Sequence, residues 1–150
     1  MLHLLLDAGP DTYALATASV VKVVSCALLK SAPAAPPAVA GILNVRGQPV
    51  PVLDCGILLA GHPCPLRFST RIAIHCTTID GRERLIGLLG ENLTRVQNFE
   101  EEDFIEPGAR APDFPCAGRI AALGDKWIQR LHPESILTTE VWDSLTTEPV

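Results

Sequence analysis

Residues 41–54 read Gly41-Ile42-Leu43-Asn44-Val45-Arg46-Gly47-Gln48-Pro49-Val50-Pro51-Val52-Leu53-Asp54. Apolar and polar positions alternate with the period of a strand through Ile42–Arg46, and the chain turns at Gly47. It then continues through Pro49–Leu53, where Val50 and Val52 face one way and Pro49 and Pro51 the other. Two alternate prolines cannot donate ladder hydrogen bonds, so this strand is expected at an edge or with one side unpaired. Arg46 and Asp54 are also the only charged residues between Lys30 and Arg67.

The same period recurs outward from this segment. Thr12–Ala18 and Val20–Val24 read as strands, the latter with Val20, Lys22 and Val24 on one face and Val21 and Val23 on the other. Arg71–Thr78 and Arg84–Leu89 flank Asp80-Gly81, a loop with hairpin chemistry, and Leu93–Phe99 follows as a further strand. Ala117–Leu123 and Lys126–Leu131 are separated by Gly124-Asp125, two residues suited to a primed turn. Only the C-terminal end reads as helix, with Pro133 at its first position and Ile136, Leu137, Val141, Trp142 and Leu145 at helical spacing. Ser31–Ala40 and Glu106–Cys116, both proline-rich, read as crossing loops. About ten short strands and a terminal helix predict a mainly β fold, a barrel or a sandwich.

The chain has 150 residues, enough for one domain over 1–150 with a core of its own, and its 11 glycines and 13 prolines punctuate short elements. Its net charge of −5 argues against affinity for nucleic acid phosphates. Residues 1–99 carry an excess of two positive charges and residues 100–150 an excess of seven negative ones, with Glu100-Glu101-Glu102-Asp103 as a solvated acidic run. No apolar run approaches the ~20 residues of a membrane span. Leu4-Leu5-Leu6 lacks a basic flank and precedes Asp7, so it is not read as a signal peptide. Five cysteines without a C-x-x-C pair read as reduced thiols, and the protein is expected in the cytoplasm.

Convergent catalytic groups are sparse. His3, His62, His75 and His132 are isolated from one another, and no nucleophile elbow, P-loop or dinucleotide fingerprint occurs. His75 and Cys76 are adjacent on a strand and therefore point to opposite faces, which weakens a cysteine enzyme. Cys55, His62 and Cys64 lack a fourth ligand, so neither a metal nor a cofactor is expected. Seven aromatics, three of them in Phe99–Phe114, form no stacking platform, which disfavours the alternative of a small β-barrel module for nucleic acid or peptide. Arg46 has two readings at this point. It pairs with Asp54 across the turn, or it is presented to a protein partner, where arginine is enriched among interface hot spots.

The run Gly41–Gly47 continuing through Val50-Pro51-Val52-Leu53-Asp54 resembles the G-x-x-N-L-R-G-x-x-x-P-V-x-D-L signature of the CheW-like domain family. Tyr13-Ala14-Leu15 through Val20–Val23, Arg71–Ile74 with Ile86–Leu89, and Gly118–Leu131 are similar to the family's other segments, in order. The resemblance implies two intertwined five-stranded SH3-like barrels with a groove between them. It also implies a non-enzymatic cytoplasmic adaptor, recruited to membrane receptor arrays, that joins the tip of a methyl-accepting receptor to the regulatory domain of a CheA-type histidine kinase. On that resemblance the expected receptor-contact residues are Arg46, Asn44, Gly41, Gly47, Val20 and Lys22. Lys22 stands where many members carry glutamate, Glu91-Asn92 replaces an aspartate context, and Cys55 replaces a leucine. The reversed charge at Lys22 widens the expected partners to receptors of parallel pathways such as surface sensing, pilus motility or biofilm control.

Overall fold

The computed structural model describes residues 1–32, 35–79, 81–106 and 117–136. Among them the strands are β1 (Leu2–Ala8), β2 (Asp11–Ala16), β3 (Val20–Ser25), β4 (Val39–Val45), β5 (Gln48–Asp54), β6 (Arg71–Ile79), β7 (Arg82–Asn98), β8 (Ala117–Leu123) and β9 (Lys126–Leu131). Two short helices, α1 (Cys55–Ala60) and α2 (Pro133–Ile136), accompany them. Leu137, Val141, Trp142 and Leu145 of the expected helix, and most of the Glu106–Cys116 crossing, lie outside the described residues.

The 17-residue β7 organises the molecule. Its first half pairs with β6 and, in parallel, with β5, which pairs with β4, while β3 pairs with β6. Its second half pairs with β1, followed by β2, β9 and β8. Each group of five is closed by one isolated bridge, Lys30↔Ile42 in the first and Ile105↔Ile120 in the second. The outcome is two barrels that share a strand, with the chain starting in the second, crossing to the first, and returning. The mainly β fold is thus as the sequence indicates.

The structure departs from the sequence reading in three places. Arg84–Leu89 and Leu93–Asn98, expected as two strands, belong to one, and a bulge lies between them at Gly90-Glu91-Asn92. There the register against β1 jumps from Leu5↔Arg95 to Asp7↔Glu91, and Asn92 takes a φ of 52°. Asp7 clamps the bulge by accepting from Asn92 Nδ2 at 2.7 Å and an Arg95 guanidinium nitrogen at 2.8 Å, as well as from Thr12 Oγ1 at 2.7 Å. Burial pushes the Asp7 carboxyl upward, but these bonds outweigh it and hold the group below its ordinary value.

The second is β1, a strand that the sequence reading did not include. Its continuous apolar run carries no alternation because both faces are buried. Leu4 and Leu6 join one core cluster with Tyr13, Leu15, Leu88 and Leu93, whereas Leu5 packs with Phe99, Phe104 and Ile128. The third correction is β3, where the register shifts between Val20 and Lys22. The extra residue breaks the strict alternation: Val20 and Val23 pack against the same cluster, and Val24 joins the other. Val20, Lys22 and Val24 therefore do not share one face.

Candidate functional site

The β4–β5 hairpin is built from its register. Leu43↔Val50 and Val45↔Gln48 bracket Asn44↔Pro49, and Ile42 lies opposite Pro51. Leu43, Val45, Val50 and Val52 are buried in one cluster, which leaves Ile42, Asn44 and Pro49 on the outer face with a half-buried Pro51. Along an antiparallel ladder hydrogen-bonded and non-bonded pairs alternate, so both prolines fall at non-bonded positions and their missing N–H groups point away from β4. On that far side β7 engages only Val52–Asp54 of β5, so the Gln48–Pro51 end extends beyond the barrel's ladder.

Arg46 and Gly47 form the two-residue tip, with φ of 52° and 81°. Two successive left-handed residues are the signature of a type I′ turn, whose twist matches that of the strands it joins. Glycine adopts this conformation freely, but for arginine it costs about 1 kcal/mol. Asn44 offsets the strain, since its Oδ1 accepts the Gly47 N–H at 2.7 Å. The outcome is an arginine at the end of a stiff ribbon, exposed, with no ion pair or hydrogen bond of its guanidinium among the described residues.

Asp54 is committed elsewhere, which closes the reading of an Arg46–Asp54 pair. It lies at the opposite end of β5, buried, and its Oδ1 caps α1 by accepting from Gly56 N at 2.8 Å and Ile57 N at 3.4 Å. The same oxygen accepts from Cys64 N at 3.2 Å, tying down the segment after the helix.

Gly41 sits one residue before the bridge that closes the first barrel. Lys30 N donates to Ile42 O at 3.0 Å and Ile42 N to Lys30 O at 2.8 Å. A Cβ on Gly41 would strike the Lys30 carbonyl oxygen and lie 2.9 Å from Leu29 Cγ, so only glycine lets these segments meet. Gly41 is buried and acts as a support for the hairpin.

Residues 3–141 match the model of the CheW-like domain. The chain belongs to the CheW-like domain family. Among solved structures it is similar to the crystal structure of the scaffolding protein TtCheW from Thermoanaerobacter tengcongensis, with 22% identity, a TM-score of 0.79, and coverage of 93% of this chain and 89% of that one. No curated protein matches the chain at a significant level.

In this CheW-like domain the six expected contact residues fall into three places. Arg46, Asn44 and Gly47 make the hairpin tip, and Gly41 the barrel closure. Val20 and Lys22 lie on β3, opposite His75 and Ile74, and β3 is not a sheet neighbour of the hairpin. The two regions are linked through packing: Val24, Cys26 and Leu29 lie against the cluster that holds Leu43, Val45 and Val50. Lys22 is exposed and Val20 half-buried. Sequence reasoning missed Val21 and Leu28, both exposed on the segment that leads to the closing bridge, and the Leu66 and Phe68 pair after α1. Strand periodicity gives no warning of these, because a bulge and short turns set their orientation.

Two of the described thiols lie beside groups that the sequence singles out. Burial, with Asp54 beside it, pushes the Cys64 thiol up to about 12. His75 is buried while the adjacent Cys76 is half-buried. Among the described residues no three His, Cys, Asp or Glu groups could hold a metal ion, and no helix is long and apolar enough to cross a membrane.

Proposed function

We propose that this CheW-like domain is a non-enzymatic adaptor that couples a methyl-accepting receptor to the regulatory domain of a CheA-type histidine kinase, in chemotaxis or a parallel chemosensory pathway. Membership in a family of scaffold and adaptor proteins supports the class. The observation that carries the receptor reading is the unpaired Arg46 guanidinium, held at a stiff I′ tip above an outer face of Ile42, Asn44 and the two prolines. Because the backbone beneath Arg46 is already fixed, docking has only its side chain to order, and apolar neighbours exclude water around it. The adaptor works by geometry. Holding a cytoplasmic kinase at a set orientation beneath the receptor lets receptor state bias kinase activity, a coupling free energy and not a reaction.

The test is co-sedimentation with receptor signalling domains and pull-down with kinase regulatory domains from the same genome. Arg46→Glu is expected to weaken receptor binding by about 2 kcal/mol or more, roughly thirty-fold in Kd, with a melting temperature within a few degrees of the unsubstituted protein. Unchanged receptor binding would remove the hairpin tip from the interface.

A further inference from the structure

Between Asp11 and Asp54 the chain holds no acidic residue, and its only charges there are Lys22, Lys30 and Arg46. All three are exposed. Asp54, the next carboxylate along the chain, is buried and caps α1.

The fold gathers these cations. Lys30 lies directly opposite Ile42 in the bridge that closes the first barrel, and residues so paired place their side chains on one face. From this antiparallel bridge β4 runs on toward Arg46, while the opposing segment runs back through Leu28 toward Lys22. Arg46 and Lys22 therefore lie on the same side of the bridge, and Lys30 lies at it. Apolar side chains accompany them: Val21, Leu28 and Ile42 are 57%, 68% and 37% exposed.

No carboxylate of the fold answers this charge. Lys22, Lys30 and Arg46 have neither an ion pair nor a side-chain hydrogen bond among the described residues. The sheet neighbour of β3, β6, carries no acidic residue, and Glu134, which α2 brings to β6, stands 3.6 Å from His75 Nε2. Glu83 lies opposite Thr78 in the β6–β7 hairpin and joins none of the three. The second barrel is the contrast, since Arg95, Arg119 and Arg130 hold Asp7, Glu106 and Glu101 at 2.8, 2.8 and 3.0 Å.

We propose that this face takes an acidic protein surface, whose carboxylates meet Lys22, Lys30 and Arg46 around an apolar centre seated on Val21, Leu28 and Ile42. The inference rests on the receptor reading above and specifies the receptor: its docking surface is acidic where it meets β3 and the hairpin. Charge of one sign left uncompensated on one partner is matched by the opposite sign on the other, which sets orientation and speeds encounter. A long polyanion fits less well. Affinity for nucleic acid or an anionic lipid layer grows with the number of cations engaged, and this face offers three. The excess of seven negative charges in residues 100–150 also repels both.

The test is co-sedimentation of the whole chain with receptor signalling domains from the same genome, in about 50 and about 500 mM sodium chloride. The double variant Lys22→Glu/Lys30→Glu is compared with Lys22→Arg/Lys30→Arg and the unsubstituted protein. Both lysines are exposed, so melting temperatures are expected to stay within a few degrees. Receptor affinity is expected to fall about tenfold or more between the two salt concentrations, and about tenfold or more in the glutamate variant at low salt, with the arginine variant retaining it. Receptor binding that ignores salt, or that survives the double reversal, overturns the acidic surface and leaves the receptor reading standing. Absence of binding to every receptor domain by the unsubstituted protein overturns both. Tighter binding to a DNA duplex or to phosphatidylserine–phosphatidylcholine vesicles than to any receptor domain assigns the face to a polyanion and also overturns the proposal.

Discussion

Arg46 holds a backbone conformation that arginine adopts at a cost, and a single side chain two residues earlier maintains it. Asn44→Ala removes the acceptor of the Gly47 N–H. The expected loss is about 1 kcal/mol of stability by urea denaturation, together with weaker receptor binding even though Arg46 is intact. Arg46 was legible in the sequence because a lone charge in an apolar stretch calls for a partner. The role of Asp54 was not, because its partners are backbone N–H groups that no sequence pattern displays. The buried histidines carry a second expectation at this scale. His3 and His75 titrate below their ordinary value of 6.5, first because burial disfavours the charged form. The unfolded chain therefore binds protons before the folded one does, and stability present above pH 6.5 declines as pH falls through that value toward the lowered ones. Asp7 and Glu101, whose ordinary values are 3.8 and 4.5 and which the fold lowers, contribute their loss only in more acidic solution. Urea midpoints at pH 7.5 and 5.5 should show the decline, and His75→Asn should reduce it.

Among the elements, α1 is the one whose signals were present but unread. Asp54 stands at its N-cap, and Gly61, with a φ of 82°, ends it in the left-handed conformation. Six residues are too few for a helical period to emerge, so only the caps mark it. Asp54→Ala is expected to destabilise the protein by about 2 kcal/mol, because buried N–H groups of Gly56 and Cys64 lose their acceptor together. Denaturant unfolding monitored by circular dichroism checks this, and a shift within about 0.5 kcal/mol would contradict the capping role. The long β7 shows the opposite failure. Gly90 and Asn92 carry turn chemistry in sequence, but Asp7 on a neighbouring strand recruits them into a bulge, a contact across 85 positions.

For the whole molecule, composition and alternation were sufficient to identify a β-rich chain, while the interleaving of two barrels was beyond them. Pairing of Thr12 with Ile128 joins the chain's two ends in a parallel ladder, and local pattern holds no record of such a partner. Lys22 lies on β3, and the segment that follows β3 meets the hairpin carrying Arg46 at the Lys30↔Ile42 bridge that closes the first barrel. We propose that a receptor touches both, with Lys22 choosing between partners and Arg46 holding any of them. Lys22→Glu is thus expected to change relative affinities across a panel of receptor signalling domains from the same genome. Identical rank order and affinities would assign Lys22 no part in selection.

The prolines of β5 carry a last implication. An exposed strand edge ordinarily invites another chain to add itself to the sheet through main-chain hydrogen bonds. Pro49 and Pro51 turn toward that edge positions that have no N–H to offer, and beyond Val52 the edge is already occupied by β7. A partner that meets the hairpin along its Pro49–Pro51 edge must therefore be read through side chains, and strand addition along that edge is disfavoured.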